Sequence, residues 1–503
     1  MLYYQNKKQM KCDWFEKWST YSPNKLAVKN IDTGLGYDYK SLNYGANGLS
    51  KILENDYNLT KGDRLLILAD FNAEYVALLG VSQKMGVILV PINYRLSASE
   101  IAFLVQNSDP SLIIVADEYR SLLKEVPKIV GEKVISFTQY SEWLGSAATE
   151  RNAEYISKPL EETHPAFILY TSGTTGQPKG AIYTHGMMLW NSINTSIRLK
   201  ITSDDIYLNV MPPFHTGGWN VLTAPILHFG GTLIMMPKFD SEKVLYALEK
   251  EQVSIGMLVP TMVRMLSESE NFKKTDFSKL RFMIVGGEAL PIPLIEQWNE
   301  QGVPIRQGYG LTECGPNITS LEAEDAIRKR GSIGFPNFYV DTKLMDENGV
   351  EAGSQEKGEL WIKGPIVTPG YWKNPKETEK AIVDGWFKTG DILKEDEEGY
   401  LYVVDRIKNM YISGGENVYP AEVEKCILRH PEIKEVCVIG VPHEKWGEVG
   451  KAFVVFKNGQ KETCDLTAYC IKHLAKYKVP KHFEVLEELP KNDTGKINRK
   501  MLS

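Results

Sequence analysis

The feature that most constrains the fold is a repeated alternation between short apolar runs and helical stretches. In the first half of the chain, three such runs predict buried strands at residues 64–69, 87–91 and 112–115. Asn72 can cap a helix that ends before Gly86, and Ser97 with Glu100 forms a capping box for the next helix. A βαβαβ order of this kind predicts a parallel sheet covered by helices.

The same alternation returns after residue 200 and predicts a second doubly wound sheet, packed on the first. Its strands are expected at residues 206–210, 232–236, 255–258, 281–285 and 305–309. From residue 331 to about 404, short strands separated by Gly, Pro and Asn-Gly turns predict a β-rich subdomain. We therefore predict an α/β fold in which residues 1–405 form one large N-terminal domain.

The remaining residues, 406–503, combine both periodicities in a short stretch, which predicts a small α+β C-terminal domain. Helices are expected at 421–428 and 465–475, and strands at 436–441 and 452–456. The connection between the two domains would be Asp405-Arg406-Ile407-Lys408.

Composition excludes several classes of protein. The chain has 503 residues, 43% of them hydrophobic, and a net charge of −6, which disfavours a nucleic-acid binder. The apolar runs fall far short of the ~20 residues that span a bilayer, and the N-terminus lacks a signal-peptide core. Six cysteines without a Cys-x-x-Cys pair indicate neither a disulfide framework nor a zinc site. We expect a cytoplasmic protein; peripheral membrane contact and a homodimer are left open.

A loop at residues 171–180 carries the strongest chemical signal. It follows a predicted strand at 167–170 and contains three glycines, four Ser or Thr residues and Lys179. Backbone amides and hydroxyls in such a loop can converge on one anion, which predicts a phosphate-binding site. A plain Gly/Thr hairpin is the alternative. The spacing does not match the Gly-x-x-x-x-Gly-Lys-Ser/Thr loop of kinases and GTPases.

With this loop, the chain resembles the adenylate-forming family of acyl-CoA synthetases, luciferases and peptide-synthetase adenylation domains. The resemblance covers nearly the whole chain and is specific, because several motifs occur in the family's order. They are the 171–180 loop, Pro213-Phe214-His215, Gly286-Gly287-Glu288-Ala289-Leu290-Pro291, Tyr309-Gly310-Leu311-Thr312-Glu313, Lys388-Thr389-Gly390-Asp391, Asp405-Arg406-Ile407-Lys408 and Thr494-Gly495-Lys496.

The resemblance implies that a carboxylate attacks the α-phosphorus of ATP, that pyrophosphate leaves, and that the thiol of coenzyme A then displaces AMP. Glu313 with Thr312 would hold Mg²⁺, a hard cation that prefers oxygen ligands. Asp391 would accept hydrogen bonds from the ribose hydroxyls, and Arg406 would reinforce that contact. The implied ATP and AMP site comprises Thr171, Ser172, Gly173, Thr174, Thr175, Gly176, Lys179, Gly287, Glu288, Ala289, Tyr309, Gly310, Thr312, Asp391 and Arg406.

Three further assignments follow from the same resemblance and concern the C-terminal domain. Lys496 would lie between the attacking carboxylate and the α-phosphate, where a desolvated ammonium offsets their repulsion. Ser413, Gly414 and Gly415 resemble the loop that lines the pantetheine tunnel. Because these two sites serve different half-reactions, we expect the domain to rotate about a hinge at Lys408.

The acid itself is constrained mainly by residues near His215, which the resemblance makes a gate between the nucleotide and acyl pockets. Thr216 stands where amino-acid-activating relatives carry an aspartate, which disfavours an α-amino acid. Gly310 stands where acetate-activating relatives carry a tryptophan, which suggests space for a longer acid. We expect a medium- or long-chain fatty acid; an aryl acid is the alternative, because Trp219 could stack on a ring.

Other function classes stay open at this stage. An adenylate-forming enzyme could load a carrier protein or oxidise its adenylate as luciferases do, and a non-catalytic nucleotide-binding protein is a third class. The expected partners are thus a small-molecule carboxylic acid, ATP and CoA, with Mg²⁺ as the metal.

Overall fold

The computed structural model describes residues 9–10, 12–126, 133–150, 154–171, 178–287, 290–353, 355–413, 416–457, 465–492 and 495–502. The chain divides into two compact units. The first comprises Met1–Asp341 and Ile362–Phe387, and the second comprises Thr342–Trp361 and Lys388–Ser503. The second unit therefore begins upstream of residue 405, where the sequence suggested a boundary.

One sheet of the first unit has six strands and confirms the first predicted βαβαβ segment. Its strands, in spatial order, are Lys179–Thr184, Pro165–Thr171, Ile88–Pro91, Arg64–Leu68, Leu112–Val115 and Val134–Ser136. All neighbours are parallel except the first two, which form an antiparallel hairpin. Leu65 lies opposite both Leu89 and Leu112, which places the strand Arg64–Leu68 inside the sheet.

A second sheet of this unit has nine strands. In spatial order they are Phe335–Pro336, Thr319–Ser320, Ile305–Tyr309, Phe282–Val285, Ile255–Leu258, Ile206–Asn209, Thr232–Met235, Leu26–Asn30 and Gly36–Asp38. The six central strands are parallel, and antiparallel pairs close both edges. The five predicted strands are confirmed within one residue at each end. Gln9–Met10 and Leu160–Glu161 form a separate two-stranded sheet.

Helices of the first unit begin and end at the residues that the sequence marks. Asn72 Oδ1 accepts from the amide of Tyr75 at 3.1 Å, and Gly86 ends that helix at φ +76°. Ser97 and Glu100 form the expected capping box. The α-helices are Trp14–Tyr21, Tyr39–Asn55, Ala73–Met85, Ala98–Ser108, Phe137–Thr149, His185–Leu199, Thr223–His228, Ser241–Lys250, Pro260–Ser267, Ile292–Glu300 and Pro375–Ala381.

The core of the first unit consists of apolar side chains on both faces of these sheets, as expected where helices cover a parallel sheet. Among the described residues, no helix is both long and apolar enough to cross a membrane. Five of the six cysteines are described, and all five are buried free thiols. Cys464 lies outside the described ranges.

The second unit contains an α+β fold, as the sequence predicts for its last hundred residues. Four strands are ordered Glu416–Val418, Tyr411–Ser413, Gly447–Phe456 and Ile433–His443, and His482–Val485 pairs in parallel with Gly447–Phe456. The helices Pro420–Ile427 and Leu466–His473 contribute to its apolar core. A further strand, Leu401–Arg406, lies opposite residues 391–395. The strands Asp341–Met345, Lys357–Lys363 and Trp386–Glu395 contain the points where the chain passes from one unit to the other.

Candidate active site

The strands on either side of the predicted phosphate loop pair antiparallel at the edge of the six-stranded sheet. Thr171 ends one strand, Lys179 begins the next, and the two residues lie opposite each other in the register. This pairing holds the two ends of the loop next to each other. Ser172, Gly173, Thr174, Thr175 and Gly176 lie outside the described residues, so their contribution to phosphate binding stays a prediction.

Glu313 reaches the mouth of this hairpin from the nine-stranded sheet. It lies in the 3₁₀ turn Thr312–Cys314, directly after the strand Ile305–Tyr309. Glu313 Oε1 lies 3.5 Å from Thr171 Oγ1 and accepts a hydrogen bond from Tyr371 at 3.0 Å. A carboxylate beside a hydroxyl suits a hard cation, so the donors fit the expected Mg²⁺. In the part of the chain that the structure describes, no three His, Cys, Asp or Glu side chains form a cluster suited to a metal.

The single carboxylate at this position indicates what kind of Mg²⁺ site it can form. Mg²⁺ is usually held in proteins by one or two carboxylates together with the phosphates of the substrate. Glu313 with Thr312 thus fits a cation that arrives with a nucleotide.

Lys179 is held by a carboxylate that sequence reasoning did not identify. Its Nζ pairs with Glu377 and lies 5.4 Å from the centre of the Tyr371 ring. Lys380 Nζ also donates to Glu377, at 2.8 Å, and these two ammonium groups lower the pKa of Glu377 to about 2. Glu377 therefore stays ionised at neutral pH, and an incoming phosphate has to compete with it for Lys179.

Gly286 and Gly287 follow the strand Phe282–Val285, which is parallel to Ile305–Tyr309. Among the described residues, a methyl group built on Gly286 would meet nothing nearer than the Gly308 carbonyl oxygen at 4.0 Å, and Gly287 has φ +89°. The backbone is therefore open here, as a flat ring would require. Glu288 and Ala289 lie outside the described residues. Tyr309, at the end of the neighbouring strand, is half-buried.

Gly310 does not leave the open space that the sequence suggested. A Cβ built there would lie 2.0 Å from the carbonyl oxygen of Pro316 and 2.5 Å from its Cα. The space beside Gly310 is filled by backbone, so the expectation that this glycine opens the acyl pocket is wrong. The glycine is needed instead for a close approach of two backbone segments.

His215 is followed by a helical segment with an irregular first turn. A π-helical turn, Gly217–Val221, precedes the short α-helix Thr223–His228. Gly218 allows a close backbone approach in this turn, because a Cβ there would lie 2.2 Å from the Pro212 carbonyl oxygen. Its amide donates to the carbonyl of His215 at 3.0 Å, which ties the turn to the predicted gate.

Trp219 belongs to the core of the first unit. Its side chain is fully buried. The ring contacts Phe71, Tyr75 and Phe167, with centroid distances of 4.4, 5.8 and 5.3 Å. It presents no exposed face, so the structure does not support the suggestion that Trp219 stacks on an aryl substrate.

The second unit contains the residues expected to bind ribose. Asp391 is 2% exposed and lies opposite Arg406 in the antiparallel register. Arg406 Nε is 2.9 Å from Asp391 Oδ1, but the geometry is that of an ion pair rather than an aligned hydrogen bond. This ion pair places the positive charge of Arg406 beside the carboxylate that is predicted to bind ribose.

Lys408 and Lys496 lie in the same electrostatic environment of the second unit. Lys408 is in the 3₁₀ turn Ile407–Asn409. Burial lowers the pKa of Lys408, and the positive charges of Arg406, Lys500 and Lys496 act in the same direction, while Asp391 opposes them. The predicted hinge and the predicted catalytic lysine are thus electrostatically coupled.

Two hydrogen bonds with Asn492 hold the backbone of Lys496. Its amide donates to Asn492 Oδ1 at 3.0 Å, and its carbonyl accepts from the Asn492 amide at 2.7 Å. Gly495 has φ +81°, a conformation that favours glycine, and Ile497 packs against an apolar cluster of the unit. Thr494 lies outside the described residues.

The predicted pantetheine loop follows the strand Tyr411–Ser413. Ser413 is buried and lies opposite Gly447 in the neighbouring strand. Gly414 and Gly415 lie outside the described residues, so the assignment of this loop to CoA stays a prediction.

Comparison with known proteins identifies the class. The family model "AMP-binding enzyme" matches residues 15–372, and the model of the C-terminal domain of AMP-binding enzymes matches residues 422–496. This chain belongs to that adenylate-forming family.

Individual relatives have related activities but different acids. Feruloyl-CoA synthase of Amycolatopsis sp. is 35% identical over 490 residues, covering 96% of each chain. The long-chain-fatty-acid–CoA ligase FadD13 of Mycobacterium tuberculosis is 35% identical over 489 residues, again covering 96% of each. A solved o-succinylbenzoate–CoA synthetase from Bacillus subtilis, in complex with ATP and a magnesium ion, superimposes with a TM-score of 0.85. That structure is 31% identical to this chain and matches 97% of it, and 99% of the solved chain is covered.

These findings confirm the family, the α/β fold class and the reaction type predicted from the motifs. The chain is an AMP-forming acid–thiol ligase that uses a small-molecule carboxylic acid, ATP, Mg²⁺ and CoA. The relatives span fatty and aromatic acids, so the family alone does not fix the acid.

Proposed function

We propose that this chain converts a medium- or long-chain fatty acid into its CoA thioester. The observation that carries the proposal is an apolar wall two residues after His215. A Cβ built on Gly217 would lie 3.3 Å from the methyl carbon of Met257 and 3.7 Å from that of Met211. Both methionines are almost completely buried.

Methionine side chains suit a flexible aliphatic ligand. They are unbranched, have three rotatable bonds and can repack around chains of different length. Met262, which packs against two apolar clusters of the first unit, could extend this wall. An acid that enters past His215 would therefore meet an adaptable apolar surface.

An aryl acid is the second candidate, and the feruloyl-CoA synthase relative favours it. Burial of Trp219 removes the one stacking surface that the sequence suggested for it. Loading of a carrier protein is a further alternative for the acceptor step. A non-catalytic nucleotide-binding role is disfavoured, because Lys496, Glu313 and Asp391 are all retained.

In the first half-reaction, an oxygen of the acid attacks the α-phosphorus of ATP as the bond to pyrophosphate breaks. We assign Lys179 and the 171–180 loop to the departing phosphates, since Lys179 has only to exchange Glu377 for phosphate oxygens. Lys496 would offset the repulsion between the acid and the α-phosphate. Asp391, with Arg406, would hold the ribose.

Glu313 and Thr312 would hold Mg²⁺, which neutralises charge on the phosphates when bound. Tyr371 keeps the Glu313 carboxylate oriented toward the hairpin mouth. Gly287, Glu288, Ala289, Tyr309 and Gly310 would surround the adenine.

In the second half-reaction, the thiol sulfur of CoA attacks the acyl carbonyl and AMP leaves. Ser413, Gly414 and Gly415 would guide the pantetheine arm. We propose that the domain 406–503 rotates relative to the domain 1–405 about a hinge at Lys408. This rotation would remove Lys496 from the active site and bring in the 413–415 loop. A cytoplasmic location remains part of the proposal.

The deciding experiment is a panel of acids assayed with the purified full chain. Pyrophosphate release without CoA and AMP release with CoA would be measured for acetate, octanoate, palmitate, ferulate, 2-succinylbenzoate and malonate. The highest kcat/KM for octanoate or palmitate supports the proposal. A higher kcat/KM for ferulate would mean that the substrate is an aryl acid rather than a fatty acid. A reaction that depends on a carrier protein instead of CoA would mean that the carrier protein is the acceptor.

A further inference from the structure

Five buried asparagines lie close together in the first unit, near the segments that carry Glu313 and His215. The helix His185–Leu199 presents Asn191 and Asn194 on one face, because residues three apart share a helix face. The other members come from three other segments. We call this set the carboxamide cluster: Asn191, Asn194, Asn220, Asn317 and Asn337. Each member is at most 8% exposed.

Hydrogen bonds within the cluster fix how these side chains are oriented. Asn191 Nδ2 donates to the Asn220 carbonyl at 2.6 Å. Asn317 Nδ2 donates to Thr195 Oγ1 at 2.5 Å and to the Val221 carbonyl at 3.0 Å. Because a carbonyl only accepts, the amide nitrogen of Asn191 must face Asn220, and its Oδ1 must point away.

Several polar atoms of the cluster are not satisfied by protein. Among the described residues, no hydrogen-bond partner lies near Asn191 Oδ1, Asn194 Nδ2, Asn220 Oδ1 or Asn337 Oδ1. A buried polar atom without a partner is costly, so native proteins satisfy such atoms with water or with a ligand. Three of these four atoms are acceptors, which calls for a ligand that donates.

The cluster borders the candidate active site on two sides. A Cβ built on Gly315 would lie 3.1 Å from Asn191 Oδ1, and Gly315 follows Glu313 by two residues. Asn220 Nδ2 donates to Thr216 Oγ1 at 3.2 Å, and Thr216 is adjacent to His215. Asn191 therefore lies beside the segment that carries the predicted Mg²⁺ ligand, and Asn220 lies beside the segment that carries the predicted gate.

We propose that Asn191 and Asn220 form a subsite for a hydroxyl group that the acid carries away from its carboxyl group. This inference rests on the proposed CoA ligase function and narrows its substrate to a hydroxylated acid. A hydroxyl supplies the missing donor and is neutral. An ammonium group would be buried without a carboxylate in the cluster, and a second carboxylate would face acceptor oxygens.

The hydroxyl could be on an aliphatic chain or on an aromatic ring. Pairs of acids that differ only in the hydroxyl group distinguish these two possibilities. One pair is 12-hydroxydodecanoate with dodecanoate, and the other is 4-hydroxycinnamate with cinnamate. For the wild-type chain, we expect kcat/KM to favour the hydroxylated member of at least one pair by about tenfold or more, since its absence leaves buried acceptors unpaired. A ratio near one in both pairs would overturn the proposal, and would show that these atoms are satisfied by water only.

Two variants test the assignment to Asn191. Asn191→Leu removes the acceptor and should bring the favoured ratio close to one. Ser192→Ala is the matched control: Ser192 is equally buried on the same helix, but its hydroxyl bonds His228 Nδ1 at 2.8 Å, outside the cluster, and should leave the ratio unchanged. An unaltered ratio in a folded Asn191→Leu variant contradicts the assignment. If that variant does not fold, the wild-type ratios decide alone. Absence of thioester from every acid would overturn the ligase function itself, and this subsite with it.

Discussion

The hydroxyl group of Tyr371 donates a hydrogen bond to Glu313, which lies 58 residues earlier in the sequence, with 3.0 Å between the two oxygens. The backbone amide of Thr368 also holds the Glu313 carbonyl, at 2.7 Å. Burial, and then the negative charge of Glu313, raises the pKa of Tyr371, so the phenol stays a donor at neutral pH. The orientation of the predicted Mg²⁺ ligand is therefore set by a segment outside its own motif.

Tyr371→Phe should weaken the response to Mg²⁺ while preserving the fold. Partners that orient a metal ligand typically contribute about tenfold or more to affinity. We expect a similar rise in the Mg²⁺ concentration that gives half-maximal pyrophosphate release. Tyr402→Phe, in the second unit, is the control. Equal Mg²⁺ dependence in both variants would mean that Tyr371 does not support the metal site.

Lys496→Ala should abolish formation of the acyl-adenylate but leave thioester formation from preformed acyl-AMP largely intact. The lysine is needed only where carboxylate and phosphate repel each other, and we expect a loss of roughly a hundredfold or more. Lys491→Ala is the matched control, because Lys491 is in the same turn but pairs with Glu435 at 3.0 Å. Comparable losses in both half-reactions of a folded Lys496→Ala protein would argue against this role.

Lys408→Pro should retain adenylation and lose most of the CoA-dependent step. Proline fixes φ near −65° and removes an amide donor, which should hold the Ile407–Asn409 turn in one conformation. Lys408→Ala removes the same charge without that restraint and serves as the control. Pyrophosphate release and thioester formation would be measured separately. Wild-type rates for both steps in the proline variant would move the hinge elsewhere.

Gly217→Val should shift the acid preference toward shorter chains. Its side chain would point at the Met257 methyl group, 3.3 Å from the built Cβ, and would narrow the apolar wall. Gly145→Val is the control, because a Cβ at Gly145 meets nothing within 4 Å. The ratio of kcat/KM for palmitate to that for octanoate should fall in the first variant only. An unchanged ratio would remove Gly217 from the acyl pocket.

Buried His185 should make the first unit sensitive to mild acid. Burial lowers the pKa of His185 from 6.5 to about 3. As pH falls below 6.5, the unfolded chain binds a proton that the folded chain does not, so stability declines until the pH approaches 3. The expected loss is about 1.4 kcal/mol per pH unit for each such histidine.

Urea unfolding at pH 7, 6 and 5 would measure this decline, and His185→Gln should reduce its slope by about one such contribution. His482→Gln, at an exposed position, should leave the slope unchanged. Identical slopes in all three proteins would indicate that His185 is protonated in the folded state.

Much of the fold could be predicted because its signals are local. The strands Leu112–Val115, Ile255–Leu258 and Ile305–Tyr309 are found with the bounds expected from their apolar runs. The edge strands Leu26–Asn30 and Gly36–Asp38 were not identified. Leu26–Asn30 pairs with Thr232–Met235, about 200 residues later, and Gly36–Asp38 pairs with Leu26–Asn30 at the edge of the sheet. No local period encodes the long-range partner.

Residues of the candidate site that belong to sequence motifs could be predicted. Residues that join the site only through contacts between distant parts of the chain could not. The segments containing Lys179 and Glu313 follow strands that the pattern of residues already indicates. Glu377 belongs to a short helix with no motif, and its contact with Lys179 spans 198 residues. The close contact between Gly310 and the backbone of Pro316 likewise could not be predicted from the sequence, because it depends on how the chain folds back at Pro316.

The passage of the chain between its two units has a practical consequence for any attempt to separate them. The second unit takes in Thr342–Trp361 as well as everything after Phe387. Within it, Thr389 Oγ1 donates to the Leu360 carbonyl at 2.7 Å, and the Gly390 amide donates to Glu359 at 2.9 Å. A fragment cut at residue 406 would discard these anchors together with Asp391, the ionic partner of Arg406. An independently folding piece would have to carry both stretches of sequence, joined by a designed linker in place of residues 362–387.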